Sequence, residues 1–477
     1  MIGILIALLV LGFLALVLVR TLKFTPKSQP AVSQESVDMD QDAVIAALSE
    51  LVRCKTVSYH DPALEDDAEF RKLIDKLPGL YPHVFQACTL RELPGRALLF
   101  RWPGKIHSEP AVLMAHYDVV PVNEENWEKP PFEAILDKDV LWGRGTLDTK
   151  VTINGVLFAA NQLIAQGFQP EHDIYFAFSG GEEVSGPGAT NIVKLFQEEG
   201  ITPGLVVDEG GAVVEDVFPG VKGPIGLIGI AEKGMIDAQF RCMSAGGHAS
   251  APKPHTPVGI LAKAATRVEG NPFPAHIAGP AALMFDTLGR HSTFLYRMIF
   301  ANMWCFGWII DLLGKTSGGE MNALVRTTVA FTQMEGSSAP NVIPPEAKMV
   351  ANMRLNPADS VASALDYLRK TVKDPQVEIT ALDSSEPSRV SQVDCAAWDK
   401  VAASVAETWT GSIVAPYLMV QCSDSRHWGV ISDKVYRFSA MDLTAQERAT
   451  IHGNNERIRV STACKAVEFY IRLMQKC

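Results

Sequence analysis

The sequence predicts an α/β protein: a mostly parallel sheet covered by helices, interrupted by a smaller α+β insert and preceded by an apolar N-terminal helix. Three observations predict it. Short continuous apolar runs alternate with helical patterns through the first half, as in βαβ units whose sheet is buried on both faces. After Lys233-Gly234 the pattern changes to alternating strands. Ile2 to Val19 is an unbroken apolar run closed by Arg20.

Taken in order, residues 1–20 read as a membrane anchor or signal segment, because a bilayer core needs roughly 20 apolar residues. No basic residue precedes the run and no A-x-A-like cleavage site follows it, which favours an anchor over a cleaved, secreted form. Arg20, Lys23 and Lys27 beyond the run would by themselves place the body on the cytoplasmic side. Residues 21–39 are rich in Pro, Ser and Gln and read as a linker that holds the body off the membrane. Asp40 then caps a helix with Val44, Ala47, Leu48 and Leu51 on its apolar face. Residues 40–233 form the first part of the main domain, with strands at 97–102, 111–116, 173–179 and 205–211 and a helix from Thr152 to Gln166. The insert covers 234–388, with strands MIDAQFRCM, RTTVAFTQM and AKMVANMRL and helices near 257–268 and 360–372. Residues 389–477 return to complete the main domain. The run 293–313 is apolar enough to suggest a second span, but Arg297, Asn302 and Asp311 make it an amphipathic helix of the insert, suited to lining a site for a greasy chain.

With 477 residues the chain exceeds one hydrophobic core. Its net charge of −11 and the lack of a basic stripe exclude nucleic acid as a partner. The 8 cysteines contain no CxxC pair, so a cysteine zinc site is excluded.

Chemistry concentrates where strands end. His116 and Asp118 follow one apolar strand, on the same side of an extended backbone. Gly143 and Gly145 lead to Asp148, just before a helix. Glu182 and Glu183 follow DIYFAFS, Asp208 and Glu209 end LVVDEGG, and His452 lies near the C-terminus. Singly each has a bland explanation, such as a helix cap or a solvent-facing pair. Jointly they are the oxygen and nitrogen ligands of divalent metal, and adjacent carboxylates at one sheet edge repel unless a cation lies among them. Taking His116, Asp148, Glu183, Glu209 and His452 as direct ligands, two metal ions fit the count.

The strings MAHYDVVPV, PPFEA, LWGRGTLDTK, GGEEVSG, DEGG, GGHASAP, NVIPP and IHGNNERI, from about residue 40 onward, resemble the zinc metallopeptidase family of aminoacylase, glutamate carboxypeptidase and succinyl-diaminopimelate desuccinylase. Within it the chain is most similar to the branch of carboxypeptidase S and the N-fatty-acyl-amino-acid synthase/hydrolase. The resemblance implies a zinc-peptidase catalytic domain carrying a lid and dimerisation insert, two Zn2+ per subunit, and a homodimer. His116 is then a ligand of one metal, Asp148 the bridge, Glu183 and His452 ligands of the second, and Glu209, or alternatively Asp208, the remaining ligand of the first. The resemblance also makes Glu182 the general base, and Asp118 the residue that orients His116. His248 stabilises the oxyanion, commonly in the partner's site, and Asn341 and Arg354 grip a substrate carboxylate. Gly181 departs from the pattern, because relatives often carry an acid there. The implied activity is hydrolysis, or the reverse condensation, of the amide bond in N-acyl amino acids, or cleavage of a C-terminal peptide bond. The alternatives are a zinc dipeptidase or carboxypeptidase without lipid preference and a non-catalytic carrier of N-acyl amino acids.

Overall fold

The computed structural model describes residues 1–27 and 35–477, so part of the expected linker at 21–39 lies outside the described residues. The apolar run forms α1 (Ile2–Lys23), which continues past Arg20. Asp40 caps α2 (Gln41–Val52): its carboxylate accepts from the Ala43 amide at 3.0 Å, and Val44, Ala47, Leu48 and Leu51 are buried.

In chain order, β1 (Thr89–Leu93), β2 (Ala97–Trp102), β3 (Ile106–His116), β4 (His172–Ser179), β5 (Leu205–Val214) and β6 (Ile225–Glu232) enter a central sheet, with α3 (Lys150–Ala165) crossing between β3 and β4. A second, antiparallel sheet contains β7 (Gly234–Met243), β8 (Thr328–Glu335), β9 (Glu346–Leu355) and β10 (Val377–Ser385), in the order β8-β9-β7-β10. The chain then returns through β11 (Ile413–Met419) and β12 (Val435–Asp442). The central order is β1-β2-β4-β3-β5-β12-β6-β11. β4, β3, β5 and β12 run parallel, whereas β1 and β2 are antiparallel additions at one edge. The β6–β11 pair is parallel within itself and antiparallel to β5 and β12.

Between β7 and β10 the chain also forms α4 (Pro257–Glu269), α5 (Gly279–His291), α6 (Phe294–Ala301), α7 (Met303–Ser317), α8 (Gly319–Val325) and α9 (Val361–Val372). Ile260, Leu261, Leu368 and Val372 of α4 and α9 share a core with the second sheet. The middle helices do not. Phe285, Phe300, Ile310 and Leu324 pack with Ile225 and Leu418 at the edge of the central sheet. The apolar run 293–313 is therefore two helices rather than one, broken at Asn302. Beyond β10, α10 (Ala396–Thr408) and α11 (Val460–Met474) join α2 and α3 over one face of the central sheet, in the largest core.

β5 changes partner along its length. Its parallel pairing with β3 ends at Val207, and by Val213 it pairs with β6 in the opposite sense. Gly211 lies where it crosses, and a Cβ there would sit 1.9 Å from the Leu227 carbonyl oxygen on β6. Gly211→Ala is expected to lower stability by at least about 1–3 kcal/mol, the usual range for overpacking. Gly79→Ala, in a helix with nothing within 4 Å of the added carbon, is expected to leave stability unchanged or raise it. Thermal unfolding of both variants checks the contrast.

Candidate metal centre

The site lies at the carboxyl ends of β3 and β4 and beside the middle of β5, just past the point where β5 leaves β3. β3 delivers His116, which is 2% exposed. Its Nδ1 lies 3.0 Å from the Asp118 carbonyl oxygen and 3.4 Å from Asp118 Oδ1. The opposite edge, Nε2, is 2.9 Å from Asp148 Oδ1 and 3.5 Å from Glu209 Oε1. Asp118 also acts on the neighbouring loop: its two carboxylate oxygens accept from the Glu182 and Glu183 amides, at 3.1 Å each. One buried acid thus ties the end of β3 to the turn that follows β4.

Asp148 arrives by a different route. Residues 140–142 form a short strand paired with 457–459, and the chain then turns through Gly145, whose φ of +89° suits a residue without a side chain. That turn winds around the buried carboxylate of Glu456, which accepts from the amides of Gly145 (3.1 Å), Leu147 (2.7 Å) and Asp148 (3.2 Å) and pairs with Arg144 at 2.6 Å. The loop leading to Glu456 also carries His452, at a φ of 58° that few non-glycine residues adopt. His452 Nε2 lies 2.9 Å from Asp148 Oδ2 and 3.1 Å from Glu183 Oε2.

Asp148 therefore divides its oxygens between two histidines, and the structure brings His116, Asp148, Glu182, Glu183, Glu209 and His452 together. Ligand atoms of His116, Asp148 and Glu183 lie within 4.8 Å of one another, as do those of His116, Glu182 and Glu209. The two adjacent acids on β5 face different partners. Glu209 faces His116, whereas Asp208 Oδ2 accepts from the Ser425 amide at 2.9 Å.

The electrostatics describe a cluster short of positive charge. Burial pushes the carboxyls of Glu182 and Glu183 up, that of Glu209 up to about 8, and that of Asp208 up to about 6. Burial acts on Asp148 in the same sense, but its hydrogen bonds to both histidines outweigh it and hold the carboxyl below its usual range. Burial opposes charging of His116, yet Glu209 and its hydrogen-bonded acids raise its proton affinity. Hydrogen bonds to Asp148 and Glu183 lift His452 to about 10. A site that holds protons this firmly has the donor set and the charge deficit that divalent cations satisfy.

The remaining candidates lie apart from the cluster. His248 and Asn341 are exposed on a two-stranded ribbon in which His248 pairs with Val342, and His248 Nδ1 lies 2.7 Å from Ser250 Oγ. Arg354 is nearer, since its Nη1 donates to Cys422 Sγ at 3.4 Å and Cys422 lines the cavity beside the acids. Sequence reasoning missed Glu456, although it stands within IHGNNERI, and Asp424, a buried acid that accepts from Ser179 Oγ at 2.5 Å and is pushed up by burial to about 7. Glu456 had a signal in Arg144, a buried-type cation inside LWGRGTLDTK that requires an anion.

The model of Peptidase family M20/M25/M40 matches residues 112–476. The chain belongs to this family. It is accordingly a metal-dependent hydrolase of peptide or amide bonds. It is 33% identical to probable carboxypeptidase S-like 2 of Dictyostelium discoideum, over 98% of this chain and 92% of that one. It is 35% identical to the N-fatty-acyl-amino acid synthase/hydrolase PM20D1 of Xenopus tropicalis, over 92% of this chain and 87% of that one. Its fold resembles an M20 family metallo-carboxypeptidase of Sulfolobus solfataricus, with a TM-score of 0.65, 18% identity, and coverage of 92% and 99%.

Glu456→Ala is expected to strand the buried Arg144 guanidinium and lower stability by about 3–5 kcal/mol. Glu456→Gln, which keeps the shape and one acceptor oxygen, is expected to lose less. Thermal unfolding orders the two variants, and their retained metal reports whether Asp148 stays in place.

Proposed function

We propose that the chain is a membrane-anchored two-zinc hydrolase that cleaves the amide bond between an acyl group and an amino acid, and forms it in reverse. The observation that carries this is the split carboxylate of Asp148, with His116 and Glu209 on one side and Glu183 and His452 on the other. His116, Asp148 and Glu209 would hold one ion, and Asp148, Glu183 and His452 the second. Two zinc ions held there would supply an acidified water and a positive field for the substrate carbonyl.

Glu182 lies beside Glu209 and His116, and its raised proton affinity suits a general base. It takes the proton of the attacking water and returns it to the nitrogen of the leaving amine. Arg354, which donates to Cys422 of the cavity wall, offers a planar fork for the free carboxylate of the amino acid. His248 and Asn341, exposed on their ribbon and outside this chain's own cavity, suit delivery into the site of a second copy, with residues 234–388 acting as lid and dimerisation unit.

The cavity favours an acyl group over a polar peptide. It holds about 600 Å³, and beyond the clustered acids its walls are mainly apolar, with Val214, Leu227, Tyr417, Met441, Leu443 and Ile451, and carry Glu320, Gln421 and Arg448 as well. The D. discoideum and X. tropicalis relatives bear carboxypeptidase and N-fatty-acyl-amino-acid names respectively. The apolar wall supports the second. Retention of α1 as an anchor is supported by its length, about 33 Å at 1.5 Å per residue, and by its hydrogen bonds to the body.

Glu182→Gln is expected to lower turnover by roughly 10²–10⁴-fold with bound zinc unchanged, checked by kinetics and metal analysis. A variant of near-normal activity removes Glu182 from the role of base. Across N-acyl phenylalanines of rising chain length, kcat/KM is expected to climb by up to about 0.8 kcal/mol, roughly fourfold, per buried methylene. A flat series, or better turnover of a small dipeptide, overturns the acyl assignment.

A further inference from the structure

The helical break at Asn302 joins the body to α1 inside the apolar run rather than beyond its end. Asn302 is fully buried, and its Nδ2 donates to the Val17 carbonyl and Thr21 Oγ1, both at 3.2 Å. Arg20 donates to the Ala301 carbonyl at 3.3 Å, and the rings of Phe13 and Trp304 meet edge to face with centroids 6.0 Å apart. Phe13 and Thr21 are about 12 Å apart along the helix axis. Wherever α1 crosses a bilayer, the α6–α7 junction is carried to the depth of its last two turns. That junction cannot hang from a stalk.

The outward face of α6 and α7 has the composition such a depth requires. Trp304, Trp308 and Leu312, spaced four residues apart on one stripe of α7, are 57%, 63% and 50% exposed, and Leu295 of α6 is 64% exposed. Tryptophan pairs are characteristic of the boundary between hydrocarbon and headgroup. α7 is about 22 Å long and carries Asp311, which pairs with Lys315 at 2.8 Å, so it suits lying in the interface and not crossing. Arg20 and Lys23, in the last turn of α1, close its apolar length on the side from which the body approaches.

We propose that α6 and α7 form, with α1, one membrane-seated surface whose occupant is the acyl region of a single leaflet. The seat also faces the site. Phe300 and Ile310, on the inner side of these helices, belong to the cluster against which Leu227 and Tyr417 of the cavity wall pack, and Glu320 of α8 lines the cavity itself. One layer of helices therefore separates the leaflet from the space assigned to the acyl group, and an amphiphilic substrate dissolved in the leaflet has the shortest route to it. This supply rests on the acyl reading of the cavity; the seat rests on α1 remaining as an anchor.

The full chain, reconstituted in phosphatidylcholine vesicles brominated along the acyl chains, tests the seat without reference to activity. Tryptophan fluorescence is expected to be quenched, and the quenching to be lost in the W304F/W308F double variant, because the other tryptophans belong to the catalytic body. Quenching that is unchanged in the double variant, while carbonate leaves the chain in the membrane pellet, overturns the seat. So does disulfide dimerisation through Trp308→Cys, which gives the face to a second copy. A chain that carbonate washes off overturns the anchor and the seat with it. For the supply route, Leu312→Glu is expected to raise KM several-fold for a long-chain N-acyl amino acid presented in vesicles, with turnover of a short water-soluble N-acyl amino acid unchanged. Equal KM values overturn lateral supply and leave the hydrolytic reading standing.

Discussion

The carboxylate of Asp148 reaches His116 with one oxygen and His452 with the other, and much of the architecture is arranged to keep it there. The two histidines are far apart in sequence and arrive on unrelated elements, one at a strand end and one on a loop with left-handed backbone. Two further buried acids tie these elements to their neighbours: Asp118 couples the end of β3 to the Glu182–Glu183 turn, and Glu456 couples the Asp148 turn to the His452 loop. Each accepts from backbone amides, which are rigid donors, so small changes in side-chain rotamer do not propagate into the site.

Local pattern made part of this legible. The strands at 97–102 and 173–179 are continuous apolar runs, and such runs read as buried parallel strands whatever their partners. The helix after Asp40 announced itself by its cap and its spacing. The edge strand β1, TLREL, is short and mostly polar, and carries no comparable signal. Nor does sequence order reveal that β12 inserts between β5 and β6, because that placement depends on contacts between segments some two hundred residues apart.

The same distinction holds at the site. His116, Asp148, Glu183, Glu209 and His452 stood out because each carries ligand chemistry at an element's end, and the structure does bring them together. The different surroundings of Asp208 and Glu209 were not legible, since adjacent residues both offer a carboxylate and only the fold shows one facing His116 and the other facing Ser425. Asn302 was read as a polar interruption that made the 293–313 run unlike a membrane span. In the structure it divides that run and bonds to α1, a partner that no local window contains.

The composition of the cluster also bears on the reading of the fold as a passive carrier. Retaining an N-acyl amino acid needs an apolar cavity and one fixed cation for its carboxylate, and Arg354 with the wall from Val214 to Ile451 meets that need alone. Glu182, Glu183, Glu209 and Asp148 add nothing to such binding, and burying the three glutamates together raises the energy of the folded chain wherever they are ionised. Relaxing that repulsion would take only the loss of an acid or its replacement by an amide. All of them are present, converging on two histidines beside the cavity, which is the arrangement hydrolysis requires and binding does not.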